Sequence, residues 1–120
     1  MSAFKLPNIE LEQAVDYVEK LGIKKAEAEK NLYRLTEEKK VAMSIALLNV
    51  ADLKGTQAHK EAVATTDEDV ISFINKIADA KELVASLTSK INAEEHRLRL
   101  FQTISANERR EKGFYQKLGD

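Results

Sequence analysis

The chain has 120 residues, of which 32% are charged and 6% aromatic, with four Gly and one Pro. Because the residues that interrupt helices are scarce, this composition is typical of a helical or coiled-coil protein. The 19 basic and 20 acidic residues leave a net charge of −1, which excludes a strong general attraction to nucleic acid or to an anionic membrane. The absence of Cys excludes a disulfide framework and a thiolate metal site.

The N-terminal half predicts a first long helix. Residues 1–7 are expected to form an extended lead-in, because Pro7 disfavours helical backbone in the residue before it. Asn8 is a candidate N-cap for a helix over residues 8–54, which Gly55 is expected to end. Steps that alternate between four and three residues define a seam on this helix, and nine of its twelve positions are apolar. The seam consists of Ala14, Val18, Leu21, Lys25, Ala28, Leu32, Leu35, Lys39, Ala42, Ala46, Asn49 and Leu53.

The C-terminal half predicts a second long helix after a connector over residues 55–65. Thr66 is the expected N-cap, because three acidic residues follow it in the first turn. This helix is predicted over residues 66–112, with Gly113 ending it and residues 113–120 forming a tail. Its seam has the same alternating steps, and nine of eleven positions are apolar. They are Val70, Phe73, Ile77, Ala80, Val84, Leu87, Ile91, Glu94, Leu98, Phe101 and Ser105.

Two arms of equal length with one connector predict an all-α fold, a long antiparallel two-helix hairpin with coiled-coil-like packing. Residues 8–112 are expected to form this hairpin as a single domain. In a symmetric hairpin residue i lies near residue 121 − i, which places Lys39 near Glu82. A charge in a seam is tolerated when it is paired.

The segment from Val41 to Leu53 is apolar on nearly every side, since ten of its thirteen residues are apolar. Two helices cannot cover so much apolar surface. Either the connector folds back over it, or two hairpins meet there. We favour self-association into a helical bundle, with a homodimer as the expected oligomer. The residues predicted to form this surface are Val41, Ile45, Leu48, Val50, Ile71 and Ile74.

The sequence predicts no catalytic residues, no metal site and no cofactor. His59 and His96 are far apart, and neither belongs to a Glu-x-x-His or His-Glu-x-x-His motif. No apolar run approaches the ~18 residues that span a bilayer. We therefore expect a soluble, non-enzymatic protein with no membrane partner and no small-molecule substrate.

Basic and aromatic residues are interleaved at the end of the second helix. This combination can bind phosphates while stacking on bases, or can contact a protein. The candidate binding residues are Arg97, Arg99, Arg109, Arg110, Lys112, Phe114 and Tyr115. The alternative is that the charged residues form a solvated helix face, while the two aromatic residues pack against Phe4 and Leu6.

Residues 94–111 read EEHRLRLFQTISANERRE, an arginine-rich segment that follows an aromatic residue. Together with the acidic start of the second helix, this segment resembles small helical proteins of tailed bacteriophages that occur among early genes for DNA recombination and single-strand binding. The resemblance covers about the C-terminal half. It implies a bacterial host cytoplasm and an accessory role in phage DNA metabolism or host takeover, and it assigns no binding residue.

The leading prediction is a non-enzymatic adaptor that acts on DNA metabolism or on a host complex through protein–protein contacts. Three alternatives stay open at this point. They are a single-stranded DNA-binding accessory protein of recombination, an inhibitor of a host nuclease or defence complex, and a virion or scaffold component.

Overall fold

A computed structural model of the chain describes the backbone of residues 8–119 and the side chains of residues 11–113. The elements are α1 (Asn8–Asn49), α2 (Gln57–Ala64) and α3 (Glu68–Gly119). The described residues contain no strand. The fold is an all-α helical hairpin, as predicted, in which the long helices α1 and α3 pack against each other and the short helix α2 lies in their connection.

The predicted seams account for the burial on both long helices. All eleven seam positions of α3 are buried or half-buried. On α1 the seam positions from Ala14 to Ala46 are likewise protected from solvent, whereas Asn49 and Leu53 are exposed. The fully buried seam residues are Ala14, Leu21, Ala28, Leu35, Ala46, Val70, Ala80 and Leu87. Half of them are Ala, and each of these alanines contributes little apolar area to the core.

The chain divides into two compact units, and α1 and α3 contribute to both. The first unit contains residues 1–24 and 87–120, and the second contains residues 25–86. In the first unit the buried residues are Ala14 and Leu21 of α1 and Leu87 of α3. The second unit contains α2 and the connection between the long helices, where a second group of buried residues lies.

Helix α1 ends at Asn49, so the prediction that it extends to residue 54 is wrong. Beyond Asn49 the backbone tightens into turns, in which the Val50 and Ala51 N–H groups bond to carbonyls three residues earlier at 3.3 Å. Gly55 has a positive φ of 144°, a region that L side chains rarely adopt. It therefore redirects the chain into α2, after the helix has already ended.

The connector over residues 55–65 contains a helix of two turns. The Thr56 hydroxyl oxygen accepts a hydrogen bond from the His59 N–H at 3.2 Å, which makes Thr56 the N-cap of α2. At its other end, the Thr65 hydroxyl donates to the Glu61 carbonyl at 2.7 Å and the Thr66 hydroxyl to the Val63 carbonyl at 2.6 Å. These threonines terminate α2, so Thr66 is not the N-cap of the second long helix.

Asp67 is the N-cap of α3. Its Oδ1 accepts hydrogen bonds from the N–H groups of Asp69 at 2.9 Å and Val70 at 3.4 Å. At the other end α3 continues through Gly113 to Gly119, so the predicted end at residue 112 is wrong, and residues 113–119 of the predicted tail are helical. Gly113 does not have a positive φ, and a glycine in helical conformation weakens a helix by about 1 kcal/mol without ending it. The predicted lead-in over residues 1–7 lies outside the described residues.

The register of the second unit differs from the predicted one by about six residues. Leu35 lines a groove together with Ala80, and Ala42 lines another with Phe73, so residue i lies near residue 115 − i. The ends of the helices account for about half of this difference, because α1 ends five residues early and α3 begins two residues late, which lowers the sum of paired residue numbers by three. The observed register therefore does not bring Lys39 near Glu82, as the predicted register did.

Candidate docking groove

One side of the hairpin is closed by α2 in the second unit. Ala64 of α2, Ala46 of α1 and Val70 of α3 are 1–2% exposed and form one apolar cluster. The partly buried residues around this cluster are Ala42, Met43, Leu47 and Val50. The connector therefore folds back over part of the apolar excess that the sequence places at this end.

The other side of α1 remains open. Val41, Ile45 and Leu48 are 61%, 54% and 75% exposed. Their spacing of four and three residues puts them in one row along the helix. Successive residues of an α-helix are about 100° apart, so Val41 lies about 200° around α1 from Met43, which contacts the closed cluster. Helix α2 borders this row only at Leu48, which lines a groove with Gln57 and Lys60, and the row remains exposed.

A groove lies between this row and α3, and we call it the acidic groove. Its apolar lining consists of Val41, Ala42 and Ile45 of α1 and Phe73 of α3. Its polar lining consists of Glu38, Asn49, Asp67 and Asp69. Three carboxylates thus line the acidic groove beside apolar side chains, and its lining contains no basic residue.

Two of the three carboxylates take part in local interactions. The Asp67 Oδ1 atom is engaged in capping α3, and Asp69 is an exposed residue of the first helical turn. The Glu38 Oε1 atom lies 3.8 Å from the Arg34 Nε atom, a distance at which an exposed ion pair contributes little. The Lys76 Nζ atom lies 5.4 Å from the centre of the Phe73 ring, within range of a cation–π interaction.

A second groove adjoins the acidic groove at Glu38, and we call it the mixed-charge groove. Its lining consists of Asn31, Arg34, Leu35, Glu38, Lys76, Asp79, Ala80 and Leu83. Two cations and two carboxylates are therefore present in the mixed-charge groove. From Asn31 to Asn49 the two grooves follow α1 for about 27 Å at 1.5 Å per residue. That length matches a helix of about 18 residues.

The structure divides the six residues predicted for self-association. Val41, Ile45 and Leu48 form the open row, whereas Val50 packs against the closed cluster. Ile71 and Ile74 are exposed on α3. Ile71 lies about 200° around the helix from Asp69, which lines the acidic groove. Val50 and Ile71 therefore lie apart from the open row.

The predicted basic site lies in the first unit. Arg97, Arg99, Arg109, Arg110 and Lys112 are all exposed on α3. The Arg97 Nη2 atom lies 3.2 Å from the Glu94 Oε2 atom, and the Arg109 Nε donates to the Ser105 carbonyl at 3.4 Å. The side chains of Phe114 and Tyr115 lie outside the described residues.

These five cations do not share one face of the helix. Arg97 and Arg99 are about 200° apart, while Arg99 and Arg110 lie on the same side but about 16 Å apart along the axis. Acidic residues are interspersed among them, with Glu94, Glu95, Glu108 and Glu111 in the same stretch. The positive charge of this segment is therefore dispersed around the helix.

Ion pairs within the described part of the chain join residues three or four apart on one helix. They are Lys25–Glu29, Arg34–Glu38, Lys40–Glu37 and Arg97–Glu94. The hydrogen bond from Lys40 to Glu37, and the Glu37 charge, raise the pKa of Lys40 above its ordinary value. Among the described residues no ion pair connects α1 with α3, so apolar contacts carry the packing.

The acidic groove was not predicted from the sequence, which indicated Val41 and Ile45 only as contact residues for a second copy. The signal was present in Val41, Ile45 and Leu48, an apolar row outside the seam. Their combination with Asp67, Asp69 and Phe73 depends on the register, which the sequence did not supply.

Among the residues that the structure describes, no group of three or more His, Asp or Glu side chains is arranged to hold a metal ion. None of the helices, over the same residues, is long and apolar enough to cross a membrane. No family model, curated protein or solved structure is significantly similar to this chain.

Proposed function

We propose that this protein is a non-enzymatic adaptor that binds another protein through the acidic groove and the adjoining row of Val41, Ile45 and Leu48. The observation that carries the proposal is the exposure of this row beside an open groove lined in part by apolar side chains. Apolar residues that line a groove and remain exposed in a small protein typically mark an interaction surface. The resemblance to tailed-phage proteins suggests the setting, which is phage DNA metabolism or a host complex.

The dispersed arginines of α3 support this choice over direct binding of nucleic acid. A phosphate backbone is bound by several cations on one surface, and the number of contacts sets the salt dependence. Arg97 and Arg99 point to different sides of α3, and Glu94 pairs with Arg97. We therefore place the working surface in the second unit and not at the basic end.

The test compares proteins that copurify with the tagged chain in bacterial cells for the wild type, I45E and I74E. Ile45 lines the acidic groove, whereas Ile74 is an exposed control on α3. We expect the partner to be lost with I45E and retained with I74E, because only the first change places a charge in the lining of the acidic groove. Equal retention by both variants would contradict the proposal.

The same preparations are titrated with labelled single- and double-stranded DNA at several salt concentrations. We expect no salt-dependent binding by fluorescence anisotropy. Binding that weakens with salt and is reduced by R109A/R110A would instead establish the nucleic-acid alternative.

A further inference from the structure

We infer that the acidic groove and the mixed-charge groove together accept one amphipathic helix of a partner protein, with that helix carrying Lys or Arg at the end that lies over Asp67 and Asp69. This inference rests on the proposed adaptor function and specifies the chemistry of the partner. The shape of the two grooves, their charge and the position of α2 each contribute to it.

The shape favours a helix. The two grooves share Glu38 and run between two antiparallel helices, a geometry in which a third helix packs its apolar residues against both. Val41, Ile45, Phe73 and Leu83 supply apolar contacts along the grooves. A helix with apolar residues at positions i, i+3 or i+4, and i+7 places a continuous stripe against them.

The charge selects which helix fits. The acidic groove has three carboxylates and no basic residue in its lining, whereas the mixed-charge groove balances Arg34 and Lys76 against Glu38 and Asp79. The two grooves are therefore negative at one end only. A helix with basic residues at the corresponding end gains charge-assisted contacts there, and an acidic one is repelled.

The position of α2 explains why the occupant has to come from elsewhere. Helix α2 is held on the closed side, where Ala64 is 1% exposed and Lys60 bonds to the Ala51 carbonyl at 3.0 Å. Among the described residues, the acidic groove is lined only by α1, the start of α3 and its capping residue Asp67. The same charge argument disfavours a second copy placed groove to groove, because the carboxylates of the two grooves would face each other.

The experiment selects helices from a displayed library of 18-residue amphipathic sequences, in which the solvent-flanking positions encode Lys, Glu, Gln or Ala. Selection is against the full-length wild-type chain, with counter-selection against I45E. We expect enriched helices to carry Lys in their terminal turns at one end. Enrichment of neutral or acidic helices, or no enrichment over I45E, would overturn the inference.

An enriched peptide and its Lys-to-Glu counterpart are then titrated against the wild type, E38Q/D69N and the control D79N. We expect about tenfold weaker binding for E38Q/D69N and for the acidic peptide, a difference of about 1.4 kcal/mol, and a smaller change for D79N. Circular dichroism checks that each variant keeps its helix content. Equal binding of both peptides by the wild type would overturn the charge selection.

Two further results separate this inference from the adaptor proposal. If the copurifying partner is lost with I45E but contributes no basic helix in crosslinking to residue 45, the adaptor function stands and the inference fails. If sedimentation shows a dimer of the chain that I45E abolishes, the occupant is a second copy, and the inference also fails.

Discussion

The Lys60 Nζ atom donates a hydrogen bond to the Ala51 carbonyl oxygen at 3.0 Å and thereby connects α2 to the turn that follows α1. The carbonyl groups at the end of a helix lack intrahelical partners, and those in the turn beyond it depend on other donors. This contact holds α2 beside the end of α1 and helps to position Ala64 in the closed cluster.

Replacing Lys60 by Met tests this connection. Met keeps much of the apolar stem but removes the donor, so we expect a loss of about 1 kcal/mol in the free energy of unfolding. Urea denaturation followed by circular dichroism measures the loss. K54M, at an exposed position of the same connection, is the control and should change stability by less than about 0.5 kcal/mol. Equal effects of the two changes would show that the bond is not stabilising.

Val70 and Ile71 provide a matched pair for the closed cluster. Val70 is 1% exposed and contacts Ala46 and Ala64, whereas Ile71 is 43% exposed. We expect V70A to destabilise the chain by about 2 kcal/mol through lost burial and an unfilled cavity. I71A should cost under about 1 kcal/mol, because much of its side chain is already in water. A lower urea midpoint for I71A than for V70A would contradict the assignment of Val70 to the closed cluster.

Gly55 and Gly22 should respond to Ala in opposite directions. Gly55 has a φ of 144°, and a Cβ there would lie 2.9 Å from the His59 Cδ2 atom, so G55A should cost about 1–3 kcal/mol in strain. Gly22 lies within α1 with nothing within 4 Å of a Cβ. G22A should therefore stabilise the chain by about 0.5–1 kcal/mol. Thermal melting curves of the two variants suffice, and a stabilised G55A would show that the turn is wrongly described.

Substitutions at Asp67 and Thr66 test which of the two residues caps the N-terminus of α3. We expect D67A to destabilise α3 by about 1 kcal/mol, because two N–H groups lose their acceptor, while D67N retains most of the stability. T66V removes only a hydroxyl that donates to the Val63 carbonyl, so it should affect α2 and not the start of α3. Hydrogen exchange of the amides of residues 69–71 reports on this difference. Faster exchange there in T66V than in D67A would restore Thr66 as the cap.

The residue pattern predicted the seam of the second long helix but not the register in which the two long helices pack. Every position of the second predicted seam is protected from solvent, because helical periodicity alone decides which residues share a face. Leu35 lines a groove with Ala80 and not with a residue six positions further along α3. The register depends on contacts between residues far apart in the chain, which local propensity does not encode.

The candidate site, too, was predicted only in part from the sequence. The sequence identified Val41, Ile45 and Leu48 as an apolar surface in excess of what two helices bury, and the structure leaves these three residues exposed. It also grouped Val50 with them, although Val50 packs against the closed cluster. Whether a residue belongs to a given surface depends on its angular position, which changes by about 100° per residue, and on where the neighbouring helix packs.

The sequence by itself determined that this protein is an all-α hairpin and which face of each long helix packs, because the period of the apolar residues is a local property. Only the tertiary structure decided the register, the folding back of α2 and the juxtaposition of Asp67 and Asp69 with Val41 and Ile45. These features depend on contacts between residues far apart in the chain, and such contacts leave no periodic trace in the sequence.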